Sequence, residues 1–199
     1  MIRIAISRGN TKLGNVPNIN LPPGPGGSCR KDAPCWDSGV CYARKAWLQY
    51  PGTRKAWTRN WNLWNQNPTE YEKQIDWYLA KKQPNRFRWH SGGDIPEQSY
   101  FDMMVRLAQK HPKTNFLAFT KRYELNLEHQ CSNLSILFSR WPGYEFPKHL
   151  ESKAQAHFTN GNEVTGTGTT CSGSCKSCNM CWALGKHGKN FGNVLFLKH

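Results

Sequence analysis

At 199 residues, with 38% hydrophobic and 13% aromatic content, the chain can bury a substantial core, and its composition excludes disordered and fibrous classes. Lys and Arg number 27 against 13 Asp and Glu, a formal net charge of +14 that favours a polyanionic partner without naming a site. No apolar run approaches the ~20 residues of a membrane span and no signal-peptide pattern opens the chain, so a membrane role is excluded and a reducing, cytoplasmic setting is expected.

The first 28 residues pass from a short apolar piece, Ile2 to Ile6, into a Pro/Gly-rich stretch around Pro22-Pro-Gly-Pro25 that proline keeps out of helix. A helix-compatible stretch follows from Tyr42 to about Asn65, bent near Pro51-Gly52 and rich in Arg, Lys and Trp. Tyr71, Ile75, Tyr78 and Leu79 share one face of a predicted helix from Thr69 to Lys82. Arg86-Phe-Arg-Trp-His90 alternates and predicts a short strand ending in the tight loop Ser91-Gly-Gly. A second amphipathic helix is predicted from Gln98 to Lys110 and closed by His111-Pro112. Further strands are expected at Asn115 to Thr120, Ser135 to Ser139, Ala154 to Thr159 and Asn193 to Leu197, with a Gly/Thr-rich loop from Asn160 to Thr170. Strand and helix alternate, so the expected fold is α/β: a partial, open β/α barrel of five or six mainly parallel strands, with chemistry at the C-terminal strand ends.

Seven of the eight cysteines fall into two tight groups, Cys29, Cys35 and Cys41, then Cys171, Cys175, Cys178 and Cys181. Grouping of this kind points to metal, because one compact centre draws its thiolates from one short loop. The C-terminal four, spaced x3, x2 and x2, can complete one coordination sphere; the density resembles ferredoxin-type ligation, with zinc as the alternative metal. The N-terminal three have no local fourth ligand. Either the centre keeps an open position where a small molecule binds, or it is closed structurally by His90, His157, His187 or a C-terminal cysteine. Cys131 stands alone and reads as a small buried apolar group.

After the predicted strand, Trp89-His90-Ser91-Gly92-Gly93-Asp94 sets two glycines and a carboxylate at a strand's C-terminal end. Glycines permit close backbone approach, and the acid can hold an ammonium group. The order of cysteine triplet, basic helix, strand and Ser91-Gly-Gly-Asp94 resembles the radical S-adenosylmethionine (SAM) superfamily. Asn10-Thr-Lys-Leu-Gly14, Cys41-Tyr-Ala43, Phe87-Arg-Trp-His-Ser-Gly-Gly-Asp94, Phe119-Thr-Lys121 and the terminal four-cysteine run are together similar to the phage gene product 88-like family.

The resemblance implies a 4Fe-4S cluster with one open iron on Cys29, Cys35 and Cys41, and SAM held beside it by Ser91, Gly92, Gly93 and Asp94, with His90 adjoining. It implies a second cluster on Cys171, Cys175, Cys178 and Cys181, and a division into a SAM-barrel-like domain at 1–170 and a metal-binding segment at 171–199. An electron donor would be the partner, and a SAM-derived radical the reagent. The departures from the superfamily are x5 and x5 spacing in the first group, Asp94 in place of Glu, and the short chain. They keep open a non-catalytic iron–sulfur electron carrier or redox sensor of a phage. A third reading is a zinc-stapled nucleic-acid-binding protein, using the interleaved basic residues and Trp47, Trp57, Trp61 and Trp64 of the helical stretch.

Overall fold

The computed structural model describes residues 2–158, 166–187 and 192–197, with the side chains of 185–187 left out. Among the described residues eight strands form a single sheet in the order β1-β2-β3-β4-β5-β6-β8-β7. The strands are β1 (Ile6–Ser7), β2 (Asn18–Ile19), β3 (Arg86–Trp89), β4 (Asn115–Thr120), β5 (Leu134–Arg140), β6 (Gln155–Phe158), β7 (Thr169–Thr170) and β8 (Val194–Phe196). Only the β1–β2 pair is antiparallel; every other pairing is parallel. The α/β class and mainly parallel sheet are as expected, and the sheet is open rather than closed into a barrel.

The expected five or six strands become eight because β1, β2 and β7 are two-residue pairings too short to leave a periodic signal. Of the apolar run from Ile2 to Ile6, only Ile6 enters a strand. The Gly/Thr-rich loop at 160–170 lies mostly outside the described residues, which resume at Gly166.

Six α-helices connect these strands among the described residues: α1 (Pro34–Asp37), α2 (Tyr42–Gln49), α3 (Pro51–Gln66), α4 (Pro68–Lys82), α5 (Gln98–Lys110) and α6 (Met180–His187). Pro51 divides the long basic stretch into α2 and α3, standing at the first turn of α3, where its missing N–H costs nothing. The start of α4 has Asn67 as its cap, accepting from Glu70 N at 2.9 Å, with Pro68 behind it. Its C-terminus turns on Gln83 in the left-handed region, with Lys81 and Lys82 in the last turn. No described helix is long and apolar enough to cross a membrane.

The alternation in β3 decides what each sheet face meets. Phe87 and Trp89 face a core shared with Leu63 and Trp64 of α3, Tyr71, Ile75 and Leu79 of α4, and the apolar stripe of α5. Two ion pairs join α4 to α5, Arg106–Glu72 at 2.6 Å and Lys110–Asp76 at 2.6 Å, and His111 at the end of α5 hydrogen-bonds Asp76 at 2.8 Å. The opposite face carries Leu117, Leu137, Ala156 and Val194 and is covered by Leu13, Val16, Trp182 and Leu184, with Cys171, Cys175 and Cys181 packed against them. The C-terminal segment therefore forms a wall of the fold's second core.

Candidate metal centres

The first cysteine group lies where β2 and β3 end. After Ile19 the chain leaves the sheet through Asn20 and Leu21, both buried, and reaches Ser28 and Cys29. Cys35 lies in α1, and Cys41 is the N-terminal flanking residue of α2. Arg44 N donates to the Cys41 carbonyl at 3.0 Å, which starts α2, and the Cys41 thiol makes no capping bond of its own. Cys41 and Cys35 hydrogen-bond to each other; this stabilises the Cys35 thiolate, pulling Cys35 down and pushing Cys41 up. Burial, and next the Asp94 carboxylate, push the Cys29 thiol up to about 12. Lys121 opposes that charge at both Cys29 and Cys35. The triplet is thus supplied by a loop, a short helix and a helix start, with Cys29 and Cys35 near Asp94 and Lys121 and Cys41 near Cys35.

A buried polar network holds the loop after β3 against this group. Asn20 Oδ1 accepts from Ser91 Oγ at 2.8 Å and from Gly92 N at 2.9 Å, while Asn18 Oδ1 accepts from Ser91 Oγ at 3.1 Å. Leu21 N donates to Gly92 O at 3.1 Å, and Asp94 N donates to Ser28 Oγ at 3.0 Å. Both glycines are required by close approach. A Cβ on Gly92 would lie 2.3 Å from Trp57 Cη2, and one on Gly93, whose φ is +86°, would lie 2.5 Å from Ser28 Oγ.

Asp94 is buried and already committed: Oδ1 accepts from Ile95 N at 2.7 Å, Oδ2 from Lys121 N at 3.0 Å, and the Thr120 hydroxyl also bonds it. A carboxylate offers about four acceptor positions, so little of its capacity remains for an incoming ammonium. His90 turns back from the cysteines toward the helices. It stands at φ +53°, its ring 5.2 Å from Tyr100 and 6.1 Å from Trp89, and neither imidazole nitrogen has a partner among the described residues. Burial holds its pKa down to about 3.

The second group spreads over the other sheet face. Cys171 N donates to Leu195 O at 2.8 Å and Cys175 N to Lys12 O at 2.7 Å, while Gly173 N donates to Cys171 Sγ at 3.5 Å. Cys181 lies in the first turn of α6. Arg86 grips this loop: its guanidinium donates to the carbonyls of Cys175 (2.9 Å), Lys176 (3.2 Å) and Cys178 (3.2 Å), and to Asn179 Oδ1 (2.8 Å). Arg88, two residues on and on the same face, lays its guanidinium over the Phe119 ring 4.2 Å from the centroid. Burial pushes Cys175 up and Cys181 up to about 12, and at each Arg88 is the foremost charge opposing the rise.

Among the described residues no three Cys, His, Asp or Glu side chains converge on one ligating point, so each group is a set of neighbouring thiols rather than a finished ligand shell. The residue types suit thiolate ligation: each group has a cation that offsets thiolate charge, and Cys171 Sγ accepts from Gly173 N. Cys131 lies with the helix-side core, its thiol 3.9 Å from Val105 O, away from both groups. The side chain of His187 lies outside the described residues.

Residue-type patterns did not single out Asn18, Asn20, Arg86 or Arg88, and Lys121 entered only within the Phe119-Thr-Lys121 motif, without a role. The signal for the two arginines was the alternation in Arg86-Phe-Arg-Trp89, which sets both opposite the aromatic face. The helical stretch also sorts itself: Trp64 is buried, Trp61 packs on the helix-side core and Trp57 on Gly92, while Lys45, Arg54, Lys55 and Arg59 face outward. Trp47 stacks on Trp57 with ring centroids 6.2 Å apart.

The family model described as Gene product 88 matches residues 4–160, a span that takes in the first cysteine group and the Ser91–Asp94 loop and ends before Cys171. The Gene 88 protein of Mycobacterium phage L5 is 27% identical over 161 residues, covering 73% of this chain and 66% of the relative. The Gene 88 protein of Mycobacterium phage D29 is 28% identical over 161 residues, covering 73% and 65%. The chain spans about two thirds of the length of these curated relatives. No solved structure matches.

Proposed function

The chain belongs to the Gene product 88 family, and from that premise we propose an iron–sulfur protein resembling radical SAM enzymes and working in the cytoplasm of a phage-infected cell. Cys29, Cys35 and Cys41 would hold a 4Fe-4S cluster with one open position, and Cys171, Cys175, Cys178 and Cys181 a second cluster. The open sheet is read as a partial β/α barrel with its chemistry at the C-terminal strand ends. One observation supports the reading: Cys29 and Cys35 neighbour Asp94 and Lys121 beside the Ser91–Asp94 loop, where β2 and β3 end, and Cys41 neighbours Cys35. When bound, the first cluster would supply low-potential electrons to SAM.

The chain's own residues supply the surroundings. Lys121 offsets thiolate charge at Cys29 and Cys35. Asn20 fixes Ser91 and Gly92, and with them the position of the Gly-Gly backbone.

Asp94 favours a second reading. Its oxygens already accept two backbone N–H groups and a hydroxyl, which suits a loop clamp better than a ligand clamp, and hence a non-catalytic electron carrier or redox sensor. Anaerobic protein is expected to be brown, with iron and sulfide in stoichiometric amounts; Cys29→Ala and Cys178→Ala should each remove part of the iron independently. Release of 5′-deoxyadenosine from SAM on reduction selects the enzyme, and a brown protein indifferent to SAM selects the carrier. Stoichiometric zinc without visible absorbance rejects both.

A further inference from the structure

The second core ends in a cluster of aromatic rings at the carboxyl edge of the sheet. Phe119 is the last residue but one of β4, Phe158 ends β6, Phe196 ends β8, and Trp141 follows β5 directly. Four neighbouring strands thus deliver one ring each, and the rings touch in series. Centroids of Phe119 and Phe196 are 5.6 Å apart, those of Phe196 and Phe158 5.1 Å, and those of Phe158 and Trp141 5.4 Å. All four are half-buried. Three cations from a strand, a turn and a strand end lie over these rings. The Arg88 guanidinium is 4.2 Å from the Phe119 centroid, and Lys12 Nζ, from the Asn10–Gly14 turn, is 4.7 Å from that of Phe196. Lys121 gives its backbone N–H to Asp94, while its ammonium lies 5.6 Å from the Trp141 centroid and 5.7 Å from that of Phe158. No carboxylate comes within ion-pair distance of any of the three among the described residues.

We propose that this carboxyl edge binds single-stranded nucleic acid, its bases against the ring cluster and its phosphates on Lys12, Arg88 and Lys121. Ligands of open parallel sheets sit beyond the carboxyl ends of the strands, where these residues gather. Half-buried rings offer a base a stacking surface, and a guanidinium laid flat on a ring extends it. The cations lie over different rings, so one phosphate cannot meet all three; a backbone with a phosphate at every nucleotide can. A net charge of +14 adds long-range attraction for such a polyanion. The surface is separate from the outward basic residues of α2 and α3. The inference stands on the sheet edge alone and needs no metal at either cysteine group.

The test titrates the full chain into a fluorescein-labelled oligothymidylate of about 12 nucleotides and follows anisotropy at several salt concentrations. Duplex and abasic strands of the same length, and thymidine 5′-monophosphate as competitor, complete the set. Trp141→Leu and Phe196→Leu are each expected to weaken single-strand binding roughly tenfold and to leave duplex binding unmoved. The abasic strand is expected to bind the parent chain more weakly than oligothymidylate by a similar factor. Lys12→Gln, Arg88→Gln and Lys121→Gln should each reduce the salt slope by about 0.7, the share of one phosphate contact. Parent-like single-strand affinity in folded ring variants, or equal affinity for abasic and base-bearing strands, overturns the proposal. So does tighter binding of the duplex, or displacement of the strand by the mononucleotide at matching concentration. If the ring variants do not fold by circular dichroism, the abasic comparison and the salt slope of the Lys12→Gln/Lys121→Gln double variant decide, an unchanged slope again overturning it. Iron is measured on the same samples, so strand binding by an iron-free chain removes the cluster reading and leaves this one in place.

Discussion

Gly92 and Gly93 show how one pattern can serve packing before it serves chemistry. As a sequence, Ser91-Gly-Gly-Asp94 is a ligand loop; in the fold its glycines are fixed by Trp57 and Ser28. Gly92→Ala is expected to cost about 1–3 kcal/mol through overpacking against the Trp57 ring, read as a lower urea midpoint. Trimming that ring in Gly92→Ala/Trp57→Leu should recover part of the loss. His90 carries a second expectation. Its folded pKa lies near 3, below the ordinary value of 6.5, so the folded state disfavours the proton that the unfolded state accepts. Its contribution to stability is present above pH 6.5 and is lost as pH falls toward 3, at up to about 1.4 kcal/mol per pH unit. Urea midpoints at pH 7 and pH 5 should differ more for the wild type than for His90→Phe; equal differences would assign the acid sensitivity elsewhere.

Elements differed sharply in how far they could be read ahead. The apolar stripe of α5 and the runs of β4 and β5 are long enough for periodicity to fix them, and all three appear within a residue of their expected bounds. β2 was hidden, since two residues between Val16-Pro17 and Asn20 carry no period, yet its parallel pairing with β3 aims the chain at Cys29. The candidate site was legible to a similar degree. Clustered cysteines announce themselves by spacing, whereas Arg86 is recognisable only once its three carbonyl acceptors are in place. Replacing Arg86 with Met strands those carbonyls. A loss of about 1.5–3 kcal/mol is expected, as for hydrogen bonds to a charged group, together with faster iodoacetamide alkylation of Cys175 and Cys178 by mass spectrometry. Unchanged alkylation would mean that Arg86 does not hold the loop.

For the whole molecule, charge is distributed unevenly. Between Asp37 and Glu70 the chain has five basic residues and no acidic one, and Lys45, Arg54, Lys55 and Arg59 lie on the outer side of α2 and α3 while the tryptophans turn inward. Contact with a polyanion through this face would be electrostatic rather than by base stacking. Reversing Arg54, Lys55 and Arg59 to Glu should lower the salt needed to elute the protein from heparin and shift the thermal midpoint little, because exposed charges contribute little to stability. Elution at the original salt would place the polyanion contact elsewhere.

The cysteine loop is also masonry. Cys171, Cys175 and Cys181 share a wall with Leu117, Leu137, Ala156 and Trp182, so whatever reaches those thiols reaches the inner lining of the sheet. Peroxide or an alkylating agent would act on shape as well as on chemistry: a bulky adduct on Cys181 would prise α6 from the strands beneath and uncover apolar surface. Oxidative injury to this chain would then register as a rise in hydrophobic-dye fluorescence, and the damaged molecule would carry its own mark for disposal.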